Sequence, residues 1–256
     1  MRFVLHKAII MAVIVAFGIN TTRTSFADSS RDRKKAELQA IDALTKLKIP
    51  LQRDIKGMVR WIEATNGEFS DEAMTYLSRL PMLEWLEIGG GSVSPAGVAH
   101  LKNCTALKRL YIHDVKLDGD ELAWLSGLTK LEALSLQRTG INGKAVKNMK
   151  ALAALAVLNL SDSNISDEDM EPIAGLKRLE VLSLANTKIS GAGIAKLADM
   201  TSLNELNITN CRVGDGDLEN FMTMPNLRIV YASGCGISEI AIHSIIARFP
   251  MLAIFR

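Results

Sequence analysis

The chain has 256 residues, of which 48% are hydrophobic, 23% charged and 5% aromatic, with a formal net charge of +2. That balance excludes a disordered tail and a multi-span membrane protein, and leaves enough apolar side chain for one or two domains. Near-neutral charge removes the basic footprint that phosphate-backbone binding needs, so nucleic acid is not an expected partner. Three cysteines and four histidines, none tightly clustered, exclude a zinc ribbon or a disulfide scaffold.

Arg2, His6 and Lys7 precede an apolar run of twelve, AIIMAVIVAFGI, over residues 8–19. Ser25-Phe26-Ala27 then offers small residues on either side of Phe26, directly before Asp28. A basic start, a short apolar middle and a small-x-small exit read as a secretory signal peptide over residues 1–27. Spanning a bilayer takes about 20 apolar residues, so membrane contact is expected only through this transient segment. The expected location is exported: periplasm, cell envelope or secreted. Removing Arg2, Lys7 and Arg23 changes the net charge from +2 to −1, which weakens nucleic acid further.

Residues 28–58 read as an N-terminal cap. Leu38, Ile41, Leu44 and Leu47 recur at steps of three, predicting an amphipathic helix over Arg31–Leu47. Ile49 to Gln52, the turn Arg53 to Gly57, and Val59 predict strand, turn and strand. The basic run Arg31, Arg33, Lys34 and Lys35 reads as a solvated helix start rather than a lipid contact.

From residue 59 to 256 the chain repeats every 24 residues. Strand-like openings begin at Val59, Leu83, Leu107, Leu131, Leu155, Leu179, Leu203 and Leu227, with a partial ninth at Leu252, one residue late, which puts Ile254 at its third, outward place. Apolar residues fill the first, fourth, sixth and eleventh places of each complete block, and the sixteenth and nineteenth behave alike. One such column of eight arises by chance at about 0.003, and there are several. Alternation over places one to six sends one set of side chains inward and the other to solvent. The twelfth place (Ser70, Ser94, Asp118, Asn142, Ser166, Ser190, Gly214, Ser238) is rich in preferred helix N-caps, and acids crowd the following turn. Pro172 lies within one predicted helix, which should be irregular.

LxxLxL, then a small residue, an aliphatic and a short capped helix resembles leucine-rich repeats of the helix-bearing, ribonuclease-inhibitor-like kind. Residues 116–131 (KLDGDELAWLSGLTKL) and 188–203 (KISGAGIAKLADMTSL) look like repeats of exported bacterial leucine-rich-repeat proteins. The resemblance implies an α/β solenoid, a horseshoe with a parallel sheet on its concave face and short helices on its convex face. The ninth place departs from the family's frequent Asn or Cys: Gly67, Gly91, Val115, Thr139, Ser163, Thr187, Cys211 and Cys235. Backbone groups at that turn must then be satisfied by hydroxyls, sulfur or water.

No GxSxG, HExxH, phosphate loop or CxxC occurs, and Gly89-Gly90-Gly91 lacks the lysine of a P-loop. The expectation is a non-catalytic module with no cofactor, binding a protein partner through the concave face. Places three and five of the first blocks give the candidate surface: Trp61, Glu63, Trp85, Glu87, Arg109 and Tyr111, joined by His113 at place seven. Trp, Tyr and Arg dominate interface energetics, although the cap could instead fold over both tryptophans and bury them. One alternative is a structural scaffold of the cell envelope; a lesser one is a metal- or glycan-directed site at Glu63, Glu87 and His113. Two further expectations concern the end of the array. Cys211 and Cys235 sit at equivalent places one rung apart, either as a disulfide or as small buried fillers. The strand near Leu252 offers an open edge through which the protein could form a homodimer.

Overall fold

The computed structural model describes residues 22–117 and 119–256, with side chains described for 30–117 and 122–256. The leader expected over residues 1–27 lies outside the described residues as far as residue 21. Helix α1, Thr22–Lys46, runs from there into the cap.

Helix α1 buries Ala40, Ile41 and Leu44. Leu38, expected on the same face, is instead exposed. Steps of three residues turn about 300° at 100° per residue, so each lags the last by about 60° and the row drifts off a single face. The cap then forms β1 (Leu51–Arg53), which pairs antiparallel with β2 (Val59–Ala64) and sets Gln52 opposite Trp61. Asp54 ties the turn between them. Its carboxylate accepts the backbone N–H groups of Lys56 and Met58 and the Arg60 guanidinium.

Every later strand adds in parallel and in sequence order. They are β3 (Trp85–Gly89), β4 (Arg109–His113), β5 (Ala133–Ser135), β6 (Val157–Asn159), β7 (Val181–Ser183), β8 (Glu205–Asn207), β9 (Ile229–Tyr231) and β10 (Ala253–Phe255). Among the described residues the result is one ten-stranded sheet whose only antiparallel pair is β1 with β2. Adjacent strands from β2 to β10 are offset by 24 residues, so like places stack: Trp61 pairs with Trp85, and Trp85 with Arg109. The last rung corrects the sequence reading. Ala253, not Ile254, pairs with Ile229, and Ile254 falls beside the inward Val230. The ninth rung is therefore not late: Ala253 lies 24 residues after Ile229, the same offset as at the other parallel pairs.

Between strands the chain crosses the other side of the sheet as short helices. These are α2 (Asp71–Leu77), α3 (Pro95–Val98), α4 (Gly143–Asn148), α5 (Met170–Ala174), α6 (Gly191–Ala195) and α7 (Glu239–Arg248), interleaved with 3₁₀ turns. The N-caps are as expected: the side chains of Ser70, Ser94, Asn142, Ser190 and Ser238 each accept a backbone N–H of their own first turn. The block containing Pro172 splits into a 3₁₀ turn, Asp167–Asp169, and the five-residue α5. Pro172 cannot donate to the helical ladder, so an unbroken helix is not available there.

The core lies between sheet and helices. All six expected columns are buried, from Val59 to Leu227 at place one and from Ile62 to Val230 at place four. A seventh, at place 22, joins them: Leu80, Cys104, Leu128, Leu152, Leu176, Met200 and Met224. Fully burying each such side chain is worth about 1.5–3 kcal/mol, repeated rung after rung. Cys104 is therefore a core residue, and burial pushes its thiol pKa up to about 12.

A second layer of ordering is polar and crosses between rungs. Asp71, Asp167 and Asp215 each accept both the backbone N–H and the hydroxyl of the N-cap serine one block later: Ser94, Ser190 and Ser238. First-turn acids expected to serve their own helix dipole thus cap the neighbouring helix as well. At place nine the hydroxyls of Thr139, Ser163 and Thr187 donate to the carbonyls of Leu136, Leu160 and Leu184. Cys211 and Cys235 are free thiols. Each donates to a carbonyl on the preceding rung, Leu184 and Ile208 respectively, both at 3.1 Å. Hydroxyl and sulfur satisfy the turn as the missing asparagine ladder requires.

Candidate functional site: the concave face

Side chains at places three and five leave the sheet away from the helices, because alternate residues of a strand face opposite sides. Through the middle of the array this surface is small and smooth: Ala133 and Ser135, Val157 and Asn159, Val181 and Ser183. At the first three rungs it is not. The seven expected residues come together there as two neighbouring rows, Trp61–Trp85–Arg109 and Glu63–Glu87–Tyr111, with His113 opposite Gly89.

The cluster is held by ring contacts. Arg109 lies over the Trp85 indole, 5.3 Å from its centroid, and Tyr111 meets the same ring at 5.8 Å and 58°. Such cation–π and tilted aromatic pairs are worth about 0.5–1.5 kcal/mol each. Trp85 is consequently half-buried, whereas Trp61 remains 38% exposed. The cap extends the sheet beside Trp61 through Gln52 and does not close over the two rings. Trp85 Nε1 is shielded from solvent and has no hydrogen-bond acceptor among the described residues. Burial pushes the Tyr111 phenol above its ordinary pKa.

Around the rings the charges are uneven. In the row before the tryptophans, Glu84 takes both Arg60 and Lys108, the latter at 3.0 Å, and these contacts hold its carboxyl below the usual range. Glu63 has no ion pair among the described residues, and Glu87 faces only His113, at 3.8 Å. His113 Nδ1 contacts Asp114 at 2.8 Å, and its ring lies where a side chain on Gly89 would stand. Gly90 and Gly91 take φ of +64° and +84°, so the three glycines turn the strand end and admit the imidazole. No three His, Cys, Asp or Glu side chains among the described residues converge to hold a metal ion.

One element of this surface went unread in the sequence. At place eight, Asp114, Arg138, Asp162, Asn186 and Asn210 all adopt the left-handed backbone, φ +53° to +58°. Their side chains link rung to rung: Arg138 chelates Asp114, and Asn186 bridges Asp162 and Asn210. Arg138 and His113 hold the Asp114 carboxyl far below its ordinary pKa. The signal was available, because Asn, Asp and Gly at a fixed interval are the residues that tolerate φ above zero.

Residues 153–213 match the family model described as Leucine rich repeat. Together with the sheet and its outer helices, this makes the fold a leucine-rich-repeat solenoid. No curated protein matches the chain. Among solved structures, an internalin C2 from Listeria monocytogenes is similar at 24% identity and TM-score 0.63, over 77% of this chain and 80% of that one. TLR13 in its complex with ssRNA13 is similar at 25% identity and TM-score 0.54, over 70% of this chain but 26% of the longer one. These likenesses extend the assignment of the fold across the array.

Proposed function

We propose that the protein is exported and acts without catalysis, binding a protein partner through the N-terminal end of its concave face. The observation that carries this reading is the pair of tryptophans in register on adjacent rungs of the open side of the sheet, Trp61 exposed and Trp85 flanked by Arg109 and Tyr111. Large aromatic side chains on an uncovered face gain the isolated molecule little, and they are what anchors protein interfaces. The solenoid neighbour caught with RNA does not transfer its ligand. The rows here carry Glu63 and Glu87, and the chain's charge is close to zero, which disfavours a polyanion.

The test is capture of partners by the tagged chain from the native envelope fraction, read by mass spectrometry, beside Trp85→Ala. Loss of the Trp85 ring should weaken capture by about 2 kcal/mol or more, roughly thirtyfold, while the chain stays folded and its melting temperature falls only by the several degrees that two ring contacts are worth. A variant that binds like the parent removes this patch from the function. Recovery of the protein alone, with no enriched partner, supports the envelope-scaffold alternative instead.

A further inference from the structure

Between the cap and the first two rungs lies a hollow of about 250 Å³, lined by Gln52, Trp61, Ile62, Glu63 and Trp85. We infer that this hollow receives a basic side chain, lysine or arginine, from the partner. The inference rests on the concave-face reading above and specifies its chemistry.

Size is the first argument. Sites for whole small molecules run to about 300–1,000 Å³, and this one falls below that range, at the scale of one side chain. Its walls are the second. Two indole rings on adjacent rungs offer apolar faces for an aliphatic stem and electron-rich faces for a cation. Arg109 already shows this chemistry within the molecule, lying over Trp85. Trp61 carries no such cation among the described residues and is the more exposed ring.

Charge is the third argument. Glu63 lines the hollow and has no ion pair among the described residues. The nearby cations are otherwise engaged: Arg60 is held by Asp54 and Glu84, and Lys108 by Glu84. Glu87, stacked on Glu63, has only the 3.8 Å approach of His113. The hollow thus combines stacking faces with an uncompensated carboxylate, which suits a basic side chain and repels an acidic one. An uncharged aliphatic chain would use the rings but leave Glu63 unanswered.

The experiment uses the ¹⁵N-labelled chain, whose three tryptophans give three indole N–H signals. Trp61→Phe and Trp85→Phe assign their signals, and Trp124, on the helical side, is the internal reference. Capped tripeptides Gly-Xaa-Gly are titrated in, with Xaa lysine, arginine, norleucine or glutamate. The lysine and arginine peptides should shift the Trp61 and Trp85 signals and leave Trp124 still, with affinity falling as salt is raised. Glu63→Gln should weaken them at least about fivefold without moving the indole signals of the free protein. Norleucine binding as well as lysine, or no peptide shifting Trp61 and Trp85, overturns the inference. If in that case Trp85→Ala still abolishes partner capture, the docking face stands and only its basic anchor falls. If Trp85→Ala leaves capture intact, both fall together.

Discussion

Gly191→Ala is a substitution whose sign depends on a residue one block away. Gly191 opens α6, is buried, and has no left-handed backbone to protect. Alanine in a helix is worth up to about 1 kcal/mol over glycine, partly by restricting the unfolded chain. Its Cβ, however, would lie 1.7 Å from Asp217 Oδ1 and 2.0 Å from Asp217 Cγ. The carboxylate must then swing away, and it is occupied. Asp217 Oδ2 accepts the Gly214 N–H at 2.9 Å, capping the helical segment Asp215–Thr223. A lost cap costs about 0.5–2 kcal/mol, and a hydrogen bond to a charged group reaches about 3. The cost exceeds the gain, so Gly191→Ala alone should destabilise by about 1 kcal/mol. In an Asp217→Ala background the cap is already gone and the space is open. There the same substitution should stabilise, by about 0.5–1 kcal/mol. Urea unfolding of the parent, both single variants and the double variant, at equal m-value, measures the cycle, with coupling of about 1.5–2 kcal/mol expected. Stabilisation by Gly191→Ala in the parent, or simple additivity, would refute the reasoning.

Three further outcomes are expected. Hydrogen bonds hold the carboxyls of Asp54, Asp71, Glu84, Asp114 and Asp215 below their ordinary pKa values. Because the folded state favours their charged form, the stability they add is present above the unfolded values near 4 and is lost as pH falls through the folded ones. The urea midpoint should hold from pH 7 to about 5 and drop below about 4; a midpoint flat to pH 3 contradicts it. Alkylation and mass analysis of the unreduced protein should count three free thiols, half-buried Cys235 reacting first and core Cys104 last, and a linked Cys211–Cys235 peptide would show otherwise. Light scattering at high micromolar concentration tests self-pairing along the open edge of β10, where Phe255 is 52% exposed and stacks on Tyr231. A dimer lost on Phe255→Lys supports that interface, and a monomer removes it.

The columns that build the core were legible because burial acts on every rung alike: Leu86, Leu110 and Leu134 meet the same environment, so their shared character survives as a period. The outward rows were legible for the same reason, since alternation about Leu86 fixes the side on which Trp85 and Glu87 stand. What the period could not supply was contact between unlike places. Asp167 reads as an acid for its own helix until Ser190 is known to stand beside it. Trp85 reads as exposed, with cover by the cap as the alternative, because its contacts with Arg109 and Tyr111 join unlike places. Ile254 was misassigned because Leu252 reads as an opening one residue late, whereas β10 keeps the 24-residue offset, and a shift of one exchanges the two faces.

The separation of stability from recognition follows from this alternation. In β3, Leu86 points into the core and is fully buried, and cutting such a residue to alanine costs about 2–5 kcal/mol of folding stability. Trp85, one bond along the chain, packs against Arg109 and Tyr111 on the opposite side. In a solenoid each rung contacts only its neighbours, so the effect of losing that ring stays within adjacent rungs while the inward columns remain filled. The outward rows can therefore change from tryptophan and glutamate at the first rungs to alanine, serine and valine at the middle ones without loss of register. A fold under so little constraint on its open face can carry tryptophans on two adjacent rungs without loss of register, and that freedom is the physical argument behind the recognition proposed for this end.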